Sequence, residues 1–539
     1  MLLFRSFKLL LLSLFLACSP STSYHPVKSD QNNARVGGND ENGVVGGNDG
    51  GVSGSRSSSP ASSSTSNGSQ SQTPQNTSNS EDPADADQAD NGARNDQEGN
   101  KEDTDDKNNN DNNDNGNLSP VPTNINYKAP APYTYPADYN DNQNRGFIPK
   151  RHLLVWHETP SSEVLINWGL DTFDPNVEHM VFLSETQHNG IDPDNNYELK
   201  FSAAESGLAG TCGNQVHSNL QVKVTGLKPN TTYYYITRSN GQRSQEMHFV
   251  TAPADTNVSF KLLSGGDSRT DRDQRVVMNE TMASMASADP NYIAIVHGGD
   301  FIDDGDNCGQ WLGWRDDHQA SILDNGRIIP LVATFGNHEE GGEDQYRQLF
   351  GDPLNNGNFY FLSTIGNLSL IVLNSQISTE GNQQTWLQTT LDSLKNKENH
   401  LIVAGYHRPA WPAVKSPGST TAWINEFQDY QVNLVLESDG HTLKQTCPIM
   451  NDVCDPVNGI IYVGEGGLGV SQRTPERADE WYFDSNFGGY ALSQHHVQSL
   501  SISSDGTTPS KLTYEVFYDN TFNHKIELMS KDRSALGSN

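Results

Sequence analysis

Beyond Ala254 the apolar residues gather into short runs 25 to 40 residues apart, several of them separated by helical stretches, and that rhythm admits few folds. Strands are expected at 260–263, 292–296, 328–333, 368–373, 401–404, 432–436 and 460–463. Helices are expected at 271–288, 310–323, 384–394 and 422–430. The alternation predicts a layered α/β domain with central β-sheet flanked by helices. Five of the runs stop in a polar cluster: Gly266-Asp267-Ser268-Arg269, Gly299-Asp300 continuing to Asp303-Asp304, Gly336-Asn337-His338-Glu339, Tyr406-His407-Arg408-Pro409 and Asp439-Gly440-His441. In an open α/β sheet the carboxyl ends of the strands line one crevice, so five clusters from distant stretches should converge there. Taken singly, each is an ordinary turn. Together they bring oxygen donors and imidazoles to one place, a donor set that suits Zn, Mn or Fe.

The preceding stretch, 127–254, reads differently. Its apolar residues alternate in short runs at 152–157, 162–168, 179–184, 219–225, 233–238 and 247–251, separated by turn residues, which predicts an all-β sandwich. The run Leu227-Lys228-Pro229-Asn230-Thr231-Thr232-Tyr233 resembles the corner of fibronectin type III domains, and Trp168 stands where such domains place a core tryptophan. Both features point to packing rather than function.

From Ser19 to about Asn126 the chain is mostly Ser, Asn, Gly, Asp and Gln, a composition that cannot bury enough surface to offset its ordering entropy. A disordered tether of about 110 residues would have an r.m.s. span of roughly 55–60 Å. Before it, Arg5 and Lys8, an apolar run from Leu9 to Leu16 and then Ala17-Cys18 read as a signal peptide that resembles the lipobox of bacterial lipoproteins, with Cys18 as the lipid-bearing residue. These signals predict an exported bacterial lipoprotein of the outer membrane, periplasm or cell surface, touching membrane only through that lipid. The formal net charge of -32, of which 13 acidic residues against three basic ones between Glu81 and Asp114 supply -10, argues against a nucleic-acid site. Export would let Cys212, Cys308, Cys447 and Cys454 oxidise; Cys447 and Cys454 could staple a hairpin, and the connectivity is open.

The five clusters, in this order, resemble the calcineurin-like metallophosphoesterases, with Gly-Asn-His-Glu the most specific motif. The sandwich before them is similar to the N-terminal domain of purple acid phosphatases. The resemblance, over about 151–503, implies hydrolysis of a phosphate mono- or diester by metal-activated water. It implies that Asp267 binds a first ion, that Asp300 bridges two, and that Asn337, His407 and His441 join Asp300 at the second. It makes His338 the residue that orients the phosphate or protonates the leaving group. Two imidazoles usual in the family are replaced, by Arg269 and by Leu443, both at the first ion. Asp303, where purple acid phosphatases carry a ligating Tyr, or Asp304 could restore an oxygen donor. Arg269 cannot ligate, because guanidinium stays protonated, but it can clamp a phosphate oxygen.

Three arrangements stay open: two ions (Fe, Mn, Zn or Ca) with Asp303 or Asp304 recruited, one ion with Arg269 as electrophile, or no catalytic ion. The domains expected are a signal peptide at 1–18, the tether at 19–126, the fibronectin-like domain at 127–254 and the metallophosphoesterase domain at 255–530. The alternative function is a surface lipoprotein that binds or adheres without turnover.

Overall fold

The computed structural model describes residues 124–131 and 145–536, except 173, 175, 213, 214, 355, 356 and 535; Cys18 and the tether up to 123 lie outside the described residues. The layered α/β domain preceded by a β-sandwich is present, and all seven expected strands of the α/β part form. Buried runs such as Tyr292–His297 and Leu401–Gly405 have no polar face, because strands of a parallel sheet are covered on both sides.

Two large sheets result. In the first, Phe260–Gly265, Tyr292–His297 and Leu331–Ala333 lie side by side and parallel. In the second, Leu368–Val372, Leu401–Gly405, Leu434–Glu437 and Ile461–Gly464 do the same. The helices Arg272–Ala288, Cys308–His318, Asn382–Leu394 and Ile424–Asp429 fall within or close to the expected ranges. The first of them is capped by Asp271, whose side chain accepts the amide of Gln274.

The sandwich does not end where the α/β rhythm begins. Lys150–Val155 pairs in parallel with Leu331–Ala333 through Val155 and Leu331, so one ten-stranded sheet runs from the sandwich into the α/β part. Trp168, Tyr233 and Phe249 share a single apolar core with Phe260, Ile293, Leu434 and Val463. The fibronectin-like corner forms as the sequence suggests, with the amide of Lys228 donating to the Tyr233 hydroxyl at 3.0 Å. At the seam, the buried Arg315 donates to Asn219 Oδ1 at 2.6 Å, to the carbonyl of Arg151 at 2.6 Å and to Asn167 Oδ1 at 2.7 Å. Residues just before the sandwich already pack on it: Ile125 is buried, and the amide of Asn126 donates to Asn230 Oδ1 at 2.9 Å.

Strands also form where periodicity gave no warning. Ala204–Cys212, with two glycines, two alanines and Thr211 as its one β-branched residue, exists as an edge laid along the eleven-residue Gln215–Thr225 strand. The meander Val497–Ser503, Lys511–Tyr518, Thr521–Met529 closes the other edge of the same sheet. Cys447 and Cys454 are joined by a disulfide across the small hairpin of Ile449–Met450 and Val453–Cys454, and Cys308 is disulfide-bonded as well.

A core shared across the seam should melt as one unit, so calorimetry of the folded part is expected to show a single transition; two resolved transitions would contradict it. Arg315→Leu strands three buried acceptors at about 1–3 kcal/mol each, and should lower the denaturant midpoint accordingly.

Candidate metal centre

Each parallel strand set delivers its carboxyl-end loops to one place. Asp267, Asp300 and Asn337 follow strands of the first sheet; His407, Asp439 and His441 follow strands of the second. The turns are sharp. Asp267, Asp300, Asp439 and His441 all have left-handed backbones, with φ of 55°, 56°, 73° and 58°. Such conformations cost non-glycine residues of order 1–3 kcal/mol each and tend to survive at functional sites. Gly299 permits the approach of two strands here, since a Cβ on it would lie 2.8 Å from the amide of Gly336 and 2.9 Å from His407 Nδ1. Hydrogen bonds then lock the loops across the sheets: the amide of Asp439 donates to Asp267 Oδ2 at 3.0 Å, and His407 Nδ1 donates to the carbonyl of Gly298 at 2.8 Å. Buried Glu339 accepts the amides of Asp300, Phe301 and Gly336 at 2.8–2.9 Å and so fixes the Asp300 turn.

The side chains form two groups that share Asp300. Asp267, Asp300 and His441 make one; Asp300, His407 and Asp439 make the other, with the donor atoms of each group within 4.8 Å of one another and every member buried. His441 Nε2 lies 3.4 Å from Asp267 Oδ1, and His407 Nε2 lies 3.1 Å from Asp300 Oδ1 and 3.0 Å from Asn337 Oδ1. Two buried oxygens, Asp267 Oδ1 and Asp300 Oδ2, accept no hydrogen bond. Buried carboxylate oxygens in that condition are costly unless a cation meets them.

Burial opposes charge on His407, Asp300 and Asp439, yet their mutual attraction wins. His407 keeps its proton well above the usual histidine range because Asp300 and Asp439 face it. Asp300 and Asp439 are held below the usual carboxylate range, the first by His407 and the second by His407 and Lys415. The donor set fits divalent cations: two carboxylates and an imidazole on one side, two carboxylates, an amide oxygen and an imidazole on the other.

Residues 149–251 match the purple acid phosphatase N-terminal domain, and residues 272–445 match the calcineurin-like phosphoesterase family. Over 272–445 the chain is thus similar to the calcineurin-like phosphoesterases. Purple acid phosphatase 21 of Arabidopsis thaliana is 25% identical over 298 residues, which are 50% of this chain and 63% of that protein. Purple acid phosphatase 13 of the same plant is 22% identical over 64% of this chain and 71% of its own length. The chain thus spans less than two thirds of the first of these relatives. Among solved structures, the purple acid phosphatase PPD1 from yellow lupin seeds superposes with a TM-score of 0.60 at 16% identity, covering 73% of this chain and 76% of the other. PhoD superposes with a TM-score of 0.52 at 13% identity, covering 71% and 89%. At these identities both likenesses concern the fold.

Within the phosphoesterase domain and the loop just before it, Asp267, Asp300, Asn337 and His407 meet as the sequence suggested. His441, expected with Asn337 and His407, has its ring against Asp267, in the first group. Leu443, expected to mark a lost imidazole, is a buried strand residue, because the ligand-bearing turn lies before it at 439–441. Asp303 belongs to neither group: its half-exposed carboxylate pairs with Arg269 and stands 3.6 Å from His338 Nδ1. Arg269 Nε lies 3.6 Å from Asp300 Oδ2. His338 sits at the rim, its Nδ1 donating to the carbonyl of Asp303 at 2.6 Å and its Nε2 3.9 Å from Asp300 Oδ2.

Asp439 and Lys415 were missed. Asp439 had a readable signal, since it stands in the same polar cluster two residues before His441. Lys415 had none; it comes from the loop after His407 and reaches Asp439 Oδ1 at 2.9 Å. His297 is structural, stacked on Phe301 and bonded to Ser268 Oγ at 3.0 Å, with burial pulling it down to about 3. Trp311 and Trp314 pack with Phe301 and Phe350 in the core.

Three carboxylates gathered in one buried site should make the protein cation-dependent. Chelation is expected to lower the melting temperature by on the order of 5 °C, with recovery on adding Mn²⁺ or Zn²⁺ back. An unchanged melting curve after verified metal removal would contradict that.

Proposed function

We propose that the protein is a metal-dependent phosphoesterase that hydrolyses phosphate mono- or diesters outside the cytoplasm. The observation that carries this reading is Asp300, buried and common to two donor groups, with one oxygen that no hydrogen bond satisfies. Divalent ions held there would supply an activated water and offset the charge that develops on the phosphoryl group. Asp267, Asp300 and His441 would hold one ion, and Asp300, Asn337, His407 and Asp439 the other.

The chain's own residues supply the rest. Arg269 reaches the rim with its guanidinium fixed by Asp303, an orientation suited to clamping phosphate oxygens. His338 commits Nδ1–H to the carbonyl of Asp303, which leaves Nε2, the atom that faces Asp300 and the site, to take up and release a proton. That proton can pass to the leaving oxygen. The rival reading, a surface module that binds without turnover, drew on two lost imidazoles; with His441 beside Asp267 and Asp439 beside His407, both groups keep a donor set and that ground weakens.

Asp300→Asn should cut phosphate release from model esters at least ~10³-fold, and His338→Ala ~10²-fold, more for alkyl than for nitrophenyl leaving groups. Undiminished turnover in Asp300→Asn would end the proposal. Export and anchoring rest on the signal-like N-terminus; labelling with radioactive palmitate should be lost in Cys18→Ser, and equal labelling of both would exclude lipidation at that residue.

A further inference from the structure

We propose that the second cation position is built for a hard divalent ion such as Mn²⁺, and that Asp439 is the residue that sets this preference. The inference rests on the metal-dependent reading above and names the ion class for that site.

Asp439 is 3% exposed, and its placement is over-determined. The backbone is left-handed at φ 73°, its amide is tied to Asp267 Oδ2, and its Oδ1 lies 3.5 Å from His407 Nε2. Lys415 meets the same oxygen at 2.9 Å. With Asp300 and Asn337, Asp439 gives this position three oxygen donors against the single imidazole of His407. Oxygen ligands suit Mg²⁺, Mn²⁺ and Ca²⁺, whereas each imidazole shifts a site toward Zn²⁺.

Lys415 explains how a third carboxylate can be tolerated. An aspartate adds one negative charge to a site that already holds Asp267 and Asp300, and the ammonium of Lys415 offsets that charge from the half-exposed side. The Asp439–Lys415 pair is therefore electrically neutral overall, as an imidazole would be, while presenting oxygen instead of nitrogen. Arg269, at the first position, offers no lone pair, so the whole centre holds four oxygen-donor residues and two imidazoles.

The test uses the purified, metal-stripped protein, titrated separately with Mn²⁺ and Zn²⁺ by calorimetry, with Co²⁺ absorption as a signature of the donor set. Asp439→His should still bind two ions but shift the Zn²⁺-to-Mn²⁺ affinity ratio at the second position at least tenfold toward Zn²⁺, with a changed Co²⁺ spectrum. Asp439→Asn keeps an oxygen and tolerates the left-handed backbone, so it should fold, keep the ratio and bind both ions at least tenfold more weakly. A ratio within twofold of wild type in Asp439→His, or wild-type affinities in Asp439→Asn, would overturn the inference while leaving the phosphoesterase reading intact. A wild-type protein that binds neither ion would overturn both.

Discussion

Three carboxylates, Asp267, Asp300 and Asp439, are buried within reach of two imidazoles where the carboxyl ends of the parallel strands of two sheets meet, and the rest of the structure serves to keep them there. Like charges so placed repel strongly in a medium that screens poorly, so the arrangement requires cations and a rigid frame. In the protein alone the cations are a protonated His407 and the ammonium of Lys415, which face the same carboxylates that divalent ions would bind. The frame is the pair of sheets, joined at the site by the Asp439 amide on Asp267 and the His407 ring on Gly298.

Beneath the ligand loops lies a second buried charge network. Lys444 Nζ is 2.5 Å from Glu437 Oε2 and 3.6 Å from Glu465 Oε1, all three fully buried. Glu437 also accepts the Tyr406 hydroxyl and the Ala410 amide at 2.7 Å, and Glu465 accepts the Ala413 amide at 2.9 Å. These contacts fix the segment on either side of His407 and the loop that carries Lys415. Breaking a buried charge network of this kind leaves uncompensated charge, so the loops have little freedom to drift from the centre. The strain of four left-handed backbones is held by such contacts rather than by local preference.

Much of this was legible in the sequence, for a physical reason. Parallel strands buried on both faces leave continuous apolar runs, and the polar residues that stop them are where side chains can converge; Asp267, Asp300, Asn337 and His407 were found that way. What was not legible depended on geometry off the strand. The sequence set His441 beside Asn337 and His407, whereas its ring lies 3.4 Å from Asp267; one turn, 439–441, can present its first or its last residue to either group, and only the fold decides which. Asp303 read as a ligand by position; its half-exposed carboxylate instead pairs with Arg269. The continuity of the sandwich with the α/β sheet was hidden as well, since pairing between Val155 and Leu331 joins stretches 176 residues apart and leaves no local pattern.

Elemental analysis of metal-repleted protein tests the central claim most directly. The account predicts two ions per chain in the wild type and a loss of both tight sites when Asp300, the shared ligand, becomes Ala. Fewer than one ion per chain, or an unchanged count in Asp300→Ala, would contradict it.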